Sequence, residues 1–511
     1  MKYWEESTMS QSVAAGQVIR HWIGGSAFES SSDRVGPVWN PATAQQIAEV
    51  CLASAADVDA AVAVAKQAFS AWRLVPLSRR AEIFFRLRGL LESHRDELAQ
   101  VISTENGKTL ADARGEIARG LENVEFACGI PALLKGSYSE QASSNIDVYQ
   151  LRQPLGVVAG ICPFNFPAMV PLWMFPSAIA CGNTFVLKPS EKVPSASLML
   201  ARLAEEAGLP RGVLNVVQGD KFAVDRLLEH RDVRAISFVG STPVARSIYQ
   251  AGTHGGKRVQ ALGGAKNHML VLPDADINAA ADAAVSAGYG AAGQRCMAIS
   301  VVVAVGSVAD PLIEAIRKRI PTIKIGPGLE DGNEMGPLVT RQQRDRVASF
   351  LDAAVQDGAT IVVDGRDDPA AKRDGFFLGA SLIDHVTPGN RCYDEEIFGP
   401  VLSVVRTQTY AEAVNLINEN PYGNGTAVFT QNGGAARRFQ YDVEVGMVGV
   451  NVPVPVPVAY YSFGGWKSSL FGDLHIYGPD SLQFYTRSKV VTSRWPDPGT
   501  SKIDLGFPQV R

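Results

Sequence analysis

Residues 156–161 (GVVAGI) form a short apolar run that predicts a buried β-strand, and residues 183–188 (NTFVLK) form a second. Two similar runs follow at residues 213–217 and 235–239, with a helical pattern at residues 195–207 and another in front of the last run. Strands that alternate with helices indicate right-handed β-α-β units and a parallel sheet. This stretch therefore predicts an α/β fold.

The chain has 511 residues, more than one hydrophobic core usually organises, so at least two domains are expected. A second alternation of strands and helices starts at residues 267–272 and runs to about residue 430, which puts the domain change near Gly264. We expect residues 1–136 and 153–264 to form the first domain and residues 265–482 the second.

Helices are predicted at residues 56–72 and 79–105, where apolar side chains recur every three or four residues. Two further segments do not show the alternation of strands and helices that predicts the two domains. Residues 137–152 are polar and extended, and residues 483–494 form a tail rich in β-forming side chains.

The composition excludes several classes of protein. With 46% hydrophobic and 20% charged residues the chain is typical of a globular protein, and a net charge of −4 gives no reason to expect nucleic-acid binding. No apolar run is long enough for a membrane span, and the N-terminus lacks the pattern of a signal or transit peptide. The six cysteines show neither paired nor metal-type spacing. We therefore expect a cytoplasmic protein with no metal site.

One cysteine has the setting of a nucleophile. Cys296 lies in residues 293–298 (GQRCMA), a turn of small residues after the Ala- and Gly-rich stretch 279–293. A neighbouring cation such as Arg295, or a positive helix end, is expected to lower the pKa of this thiol. The alternative is a buried structural cysteine, which fits most of the other five better.

Five motifs occur in order along the chain, and together they resemble the aldehyde dehydrogenase superfamily. Within it, the chain looks most like the CoA-acylating branch that contains methylmalonate-semialdehyde dehydrogenase. The motifs are residues 163–167 (PFNFP), 187–191 (LKPSE), 238–241 (FVGS), Cys296 and 396–400 (EIFGP). The narrower match rests on residues 120–127, 263–268, 420–426 and 449–457.

The resemblance implies an aldehyde dehydrogenase fold: a Rossmann-like NAD-binding domain, an α/β catalytic domain and a β-stranded arm for oligomerisation. The arm would comprise residues 137–152 and 483–511, in a homotetramer or a dimer. An ordinary surface hairpin with a loose tail is the alternative for these two segments.

The resemblance also implies the site. Cys296 would attack the aldehyde, and the Asn165 carboxamide would bind the oxyanion. NAD would bind without the usual Gly-x-Gly-x-x-Gly motif, with its pyrophosphate at the helix that Gly240 and Ser241 open. The remaining positions expected to bind NAD are Phe164, Lys188, Glu191, Glu396 and Phe398.

The substrate is expected to be a semialdehyde whose carboxylate binds Arg119 and Arg295. In the family a glutamate upstream of the cysteine activates water, but this sequence has Ala261 at the position we assign to it. Coenzyme A is therefore expected to take the acyl group, with loss of CO2. The alternatives are a hydrolytic aldehyde dehydrogenase that releases a carboxylic acid and, far behind it, a binding protein that has lost its activity.

Overall fold

The computed structural model describes residues 18–495 and residue 499, so residues 1–17 of the expected first domain and residues 496–498 and 500–511 of the expected arm lie outside the described residues. The strands are β1 Val18–Ile19, β2 His21–Ile23, β3 Ser26–Phe28, β4 Val35–Asn40, β5 Gln45–Cys51, β6 Ser137–Ser143, β7 Ile146–Pro154, β8 Val157–Ile161, β9 Thr184–Lys188, β10 Leu214–Val216, β11 Val233–Val239, β12 Arg258–Leu262, β13 Asn267–Val271, β14 Ile299–Val305, β15 Thr360–Val363, β16 Ser381–Asp384, β17 Val401–Thr407, β18 Tyr422–Gly423, β19 Gly425–Phe429, β20 Met447–Val450, β21 Trp466–Lys467, β22 Leu470–Phe471 and β23 Thr486–Arg494. The helices are α1 Ala55–Trp72, α2 Leu77–Ser93, α3 Arg95–Asn106, α4 Leu110–Cys128, α5 Ile130–Leu133, α6 Met169–Ala180, α7 Ser195–Glu206, α8 Lys221–Glu229, α9 Thr242–His254, α10 Ile277–Tyr289, α11 Ala309–Arg319, α12 Arg341–Gln356, α13 Arg391–Asp394, α14 Tyr410–Glu419, α15 Gly433–Asp442 and α16 Pro479–Tyr485.

The first large sheet has eight strands in the order β22-β12-β11-β8-β9-β10-β2-β3. Its five central strands are parallel. The chain passes from β8 to β9 and β10 on one side, and β11 and β12 then add on the other side of β8. This change of direction opens a crevice at the carboxyl ends of β8 and β11, where ligands bind in sheets of this kind.

The second large sheet has seven strands in the order β15-β16-β17-β14-β13-β19-β20, all parallel except for the edge pair β15 and β16. Strand β12 ends the parallel part of the first sheet, and β13, five residues later in the chain, lies near the centre of the second. The short strand β22 returns from the far end of the sequence to pair with β12 in antiparallel fashion. The residues after β12 thus pass directly from one sheet to the other.

The structure divides the predicted helix 79–105 into α2 and α3, which meet at His94. His94 is the C-cap of one helix and the N-cap of the next, and its Nδ1 lies 2.9 Å from the Leu90 carbonyl oxygen. The change of direction lets both helices pack on α4. Helix α4 approaches α6 closely at Gly120, where a Cβ atom would lie 2.6 Å from the Leu172 side chain.

The polar segment and the C-terminal tail form one antiparallel sheet in the order β23-β7-β6. The tail strand begins at Thr486, three residues later than predicted, because the preceding residues belong to α16. Phe484 and Tyr485 are buried in the core that α6 and α16 share, which keeps them in the helix. Along β23, by contrast, Val490 is 63% exposed.

The six cysteines are unpaired, and all except Cys296 are buried. Among the described residues, the structure contains no helix with the length and apolar character that a membrane crossing requires.

Candidate active site

The crevice at the carboxyl ends of β8 and β11 is a cavity of about 350 Å3. Phe164 and Asn165 enter it from the loop after β8, and Gly240 and Ser241 enter it from the turn after β11. The second sheet contributes Cys296, Glu396 and Phe398 to the same cavity. The structure thus brings together in one cavity seven residues that are spread over more than 200 positions of the sequence.

A strained turn places Cys296. Ala291 and Ala292 have positive φ angles of 51° and 52°, which side chains rarely adopt, and Gly293 follows at 69°. A Cβ atom on Gly293 would lie 2.1 Å from the Gly399 carbonyl oxygen, so only glycine fits here. The turn therefore presses the cysteine loop against the segment that carries Phe398.

Two carboxamides fix the backbone of Cys296. Asn267 Nδ2 donates to the Cys296 carbonyl oxygen at 2.8 Å, and Asn424 Nδ2 donates to the same oxygen at 3.1 Å. Gly425 N donates in turn to Asn267 Oδ1 at 3.1 Å. The sequence reasoning missed the role of both asparagines, although both lie in segments that carry the narrower resemblance, residues 263–268 and 420–426.

The expected lowering of the pKa of Cys296 is wrong. Burial first and the Glu396 carboxylate second raise the pKa of this thiol to about 12, although Arg295 acts in the expected direction and lowers it. The Arg295 guanidinium is bonded to Asp112, which offsets its charge. The pKa of Glu396 is itself raised to about 7 by burial, although Ala265 N donates to its carboxylate at 3.0 Å.

Asn165 lies beside the cysteine loop. Its Nδ2 donates to the carbonyl oxygen of Gln294 at 3.1 Å, two residues before the nucleophile, and the residue is buried. Gln294 is held in turn by Val339 N, which donates to its Oε1 at 3.2 Å. The carboxamide nitrogen carries a second hydrogen, which is the donor that an oxyanion needs.

The Gly240–Ser241 turn leads into α9 at the wall of the cavity, and Gly240 N donates to the Leu262 carbonyl oxygen at 3.0 Å. Ser241 is the N-cap of α9, and its side chain makes no capping hydrogen bond. The first amides of a helix lack partners within it, and they attract phosphate groups. Ala245, in the first turns of α9, is fully buried. The turn therefore fits the pyrophosphate of a dinucleotide.

Lys188 and Glu191 lie at the carboxyl end of β9, the strand beside β8. Lys188 Nζ donates to Glu191 Oε2 at 3.3 Å, and the Lys188 side chain is largely buried whereas that of Glu191 is partly exposed. This is the edge of the sheet at which the cavity opens. Across the cavity, the rings of Phe164 and Phe398 meet edge to face with centroids 5.9 Å apart.

The segment that carries Glu396 and Phe398 is held from α12. Arg346 donates to the carbonyl oxygens of Glu396 and Ile397, each at 3.0 Å, and Gln343 Nε2 donates to that of Phe398 at 3.0 Å. Phe398 needs this support because its φ is 58°. Arg346 and Gln343 also line the cavity, and neither belongs to a motif identified in the sequence.

The two arginines expected to bind a carboxylate already have partners. Arg119 donates through Nη1 to Glu122 at 2.7 Å and through Nη2 to the carbonyl oxygen of Pro457 at 2.7 Å. Tyr477 donates to the same Pro457 oxygen at 2.7 Å. Arg295 adjoins Cys296, and its bond to Asp112 ties the cysteine loop to α4.

The position that the resemblance assigns to the base, Ala261, lies in β12. Ala261 packs with Phe238 on one face of the first sheet, whereas Leu262 packs on the opposite face. Neither Ala261 nor Leu262 can take up a proton.

Comparison with known proteins agrees with this architecture. The sequence profile of the aldehyde dehydrogenase family matches residues 28–491. The chain is 56% identical over 495 residues to malonate-semialdehyde dehydrogenase of Pseudomonas aeruginosa, covering 96% of this chain and 99% of the relative. It is 49% identical over 483 residues to malonate-semialdehyde dehydrogenase of Halalkalibacterium halodurans, covering 94% and 99%.

Two solved structures are also similar to this chain in sequence and in fold. Methylmalonate-semialdehyde dehydrogenase of Oceanimonas doudoroffii has a TM-score of 0.93 and 53% identity, covering 94% of this chain and 99% of that one. A protein of Sinorhizobium meliloti assigned to the same activity, solved with NAD, has a TM-score of 0.93 and 51% identity, covering 96% and 100%. Both the resemblance in sequence and the expected fold are confirmed, and the chain belongs to the aldehyde dehydrogenase family.

Proposed function

We propose that the protein oxidises malonate semialdehyde or methylmalonate semialdehyde with NAD and coenzyme A, and releases acetyl-CoA or propionyl-CoA, CO2 and NADH. The observation that carries this proposal is a cysteine in a ligand-sized cavity, with Ala261 in β12 at the position that the resemblance assigns to the base. The names of the relatives from Pseudomonas aeruginosa and Oceanimonas doudoroffii support the substrate class.

In the proposed reaction the Cys296 thiolate attacks the aldehyde carbon and forms a thiohemiacetal. Asn165 Nδ2 donates to the oxyanion that develops on the former carbonyl oxygen. Bound NAD would supply the oxidant that takes the hydride from this carbon, which would leave a thioester on Cys296. The raised pKa of the resting thiol means that little of it is thiolate at neutral pH.

The residues present fit NAD. The start of α9 suits the pyrophosphate, and Glu396 and Phe398, which line the same cavity as Cys296, would hold the nicotinamide riboside. Glu191 at the edge of the sheet suits the hydroxyls of the adenosine ribose and would repel a 2′-phosphate, which favours NAD over NADP. The neighbour from Sinorhizobium meliloti was solved with NAD.

Coenzyme A then completes the turnover. Its thiol loses a proton and attacks the thioester carbon, the bond from that carbon to Cys296 breaks, and the cysteine leaves as thiolate. A malonyl or methylmalonyl thioester also loses its β-carboxylate as CO2, and the α-carbon takes up a proton. The steady-state rate of NADH formation from malonate semialdehyde, with and without coenzyme A, tests this assignment.

One observation favours a second function, the hydrolytic release of a free acid. Glu396 shares the cavity with Cys296 and has a pKa of about 7, so at neutral pH part of it is a carboxylate that can take up a proton. However, Glu396 Oε1 accepts a hydrogen bond from Ala265 N, and Oε2 lies against Gly264. These contacts hold the carboxylate at the wall of the cavity. Accumulation of free acid at full speed without coenzyme A would establish this alternative.

Substrate selectivity should depend on the two arginines. Arg119→Ala and Arg295→Ala are each expected to lower kcat/KM for malonate semialdehyde by about a hundredfold or more, because a partly desolvated carboxylate that loses its cation costs several kcal/mol. The uncharged aldehyde propanal should lose far less. Steady-state kinetics with both aldehydes measure the difference.

Arg114→Ala is the matched control, since Arg114 lies on α4 like Arg119 but pairs with Asp96 at the surface. Equal losses for the two aldehydes would contradict a role of the arginines in carboxylate binding.

We also propose that the three-stranded sheet is an arm that pairs with a second copy of the chain, in a dimer or tetramer. Its strand β23 is an edge strand with one exposed apolar side chain, Val490, and an unpaired strand edge is prone to pair with another chain. A chain that ends at Tyr485 is therefore expected to form smaller, aggregation-prone species. Sedimentation analysis measures its mass, and an unchanged native mass would remove the arm from the assembly.

A further inference from the structure

A buried ion pair lies behind the loop that carries Asn165. Lys108 Nζ lies 2.6 Å from Glu116 Oε2, and the two side chains are 2% and 0% exposed. Neither residue lines the cavity at Cys296. An ion pair withdrawn from water in this way is costly unless its remaining polar groups find partners.

Both members of the pair bond to the Asn165 loop. Lys108 Nζ donates to the Asn165 carbonyl oxygen at 2.5 Å and lies 4.3 Å from the centre of the Phe166 ring. Glu116 Oε1 accepts from Ala168 N at 2.9 Å and from Met169 N at 3.1 Å. The pair thus holds the loop at its start and at its junction with α6.

The segment that contains Lys108 is itself fixed. Asn106 Nδ2 donates to the carbonyl oxygen of Phe164 at 2.9 Å, which secures the residue before Asn165. On the other side, Leu110 N donates to the carbonyl oxygen of Gly328 at 3.0 Å, and a Cβ on Gly328 would lie 2.1 Å from the Lys108 carbonyl oxygen. Lys108 therefore extends its ammonium group from a rigid base.

We infer that Lys108 and Glu116 are positioning residues that fix the backbone of Asn165 so that its carboxamide meets the oxyanion formed at Cys296. This inference rests on the proposed function, in which Asn165 is the oxyanion donor. The Asn165 side chain is tied to the Gln294 carbonyl oxygen at 3.1 Å, and the ion pair ties its main chain, so both ends of the donor are held. Donors of this kind act through their preorganisation, and a displacement of about 1 Å can cost a hundredfold in rate.

The test is a double-mutant cycle. Lys108→Met with Glu116→Gln removes both charges, yet the glutamine Oε1 can still accept from Ala168 N and Met169 N. The rate constant of the NADH burst with malonate semialdehyde is expected to fall by about tenfold to a hundredfold. The affinity for NAD and the burst amplitude should not change, because folded enzyme keeps its cofactor site and its nucleophile.

The same pair of substitutions in an Asn165→Ala background should change the burst rate by less than about twofold, because groups that act through one another are not additive. The control is Arg114→Met with Asp96→Asn, an exposed pair on α4 and α3 that should leave the burst rate unchanged. If the buried double variant does not fold, Glu116→Gln alone enters the cycle in its place.

Each outcome decides one question. An unchanged burst rate, or a fall of equal size in both backgrounds, would overturn the positioning role. An Asn165→Ala enzyme with an undiminished burst would instead overturn the oxyanion assignment in the proposed function.

Discussion

Cys296→Ala is expected to abolish NADH formation, with a loss of about a millionfold, the size seen when a covalent catalyst loses its nucleophile. Every proposed step depends on this sulfur, because without it no thiohemiacetal forms and no thioester remains. Binding of NAD should persist, since the Gly240–Ser241 turn and the Glu396 segment do not depend on the thiol. Stopped-flow absorbance measures NADH, and quenching of protein fluorescence measures cofactor binding.

Cys162→Ala is the matched control. Cys162 is buried two residues before Phe164, and its Sγ contacts Met174 Sδ at 3.7 Å, so its loss should leave turnover nearly intact.

In the resting enzyme Cys296 should react slowly with iodoacetamide at neutral pH and faster as the pH rises, because its pKa is raised to about 12 and only the thiolate reacts. More than trace NADH from Cys296→Ala would assign the nucleophile to another residue.

The second large effect concerns coenzyme A. Without it we expect a burst of about one NADH per active site and then a rate lower by about a hundredfold to ten-thousandfold, the usual contribution of a general base. The reason is that water attacks a thioester slowly when no group removes its proton, and β12 has Ala261 at the position assigned to the base. Coenzyme A should restore the fast rate. Full speed without coenzyme A would contradict the proposed acceptor.

The two faces of β12 sharpen this experiment. Ala261→Glu places a carboxylate at the position that the resemblance assigns to the base, so turnover without coenzyme A should rise and free acid should appear. Leu262→Glu is the matched comparison, because Leu262 packs on the opposite face of the strand in a different apolar cluster. If Leu262→Glu and not Ala261→Glu gave hydrolysis, the assignment of the base position to residue 261 would be wrong.

Much of the fold could be predicted because apolar runs and helical periodicity are local signals. The strand expected at residues 183–188 is Thr184–Lys188 in the structure, and the helix expected at residues 195–207 is Ser195–Glu206. The tail was less predictable, since Phe484 and Tyr485 suit a strand by propensity but are held in α16 by burial. Tertiary packing overrides propensity at such positions.

The sequence by itself determined the family, the alternation of strands and helices, and the chemical identity of the candidate groups, because motifs and periodicity are properties of neighbouring residues. Tertiary structure alone decided how those groups act. The pKa of Cys296 depends on burial and on Glu396, which is 100 positions away, and the support of Asn165 depends on Lys108 and Glu116. The face that Leu262 occupies also depends on the register of β12 in its sheet, and a one-residue error reverses it. Electrostatic and packing interactions act through space, so they become visible only when the chain has folded.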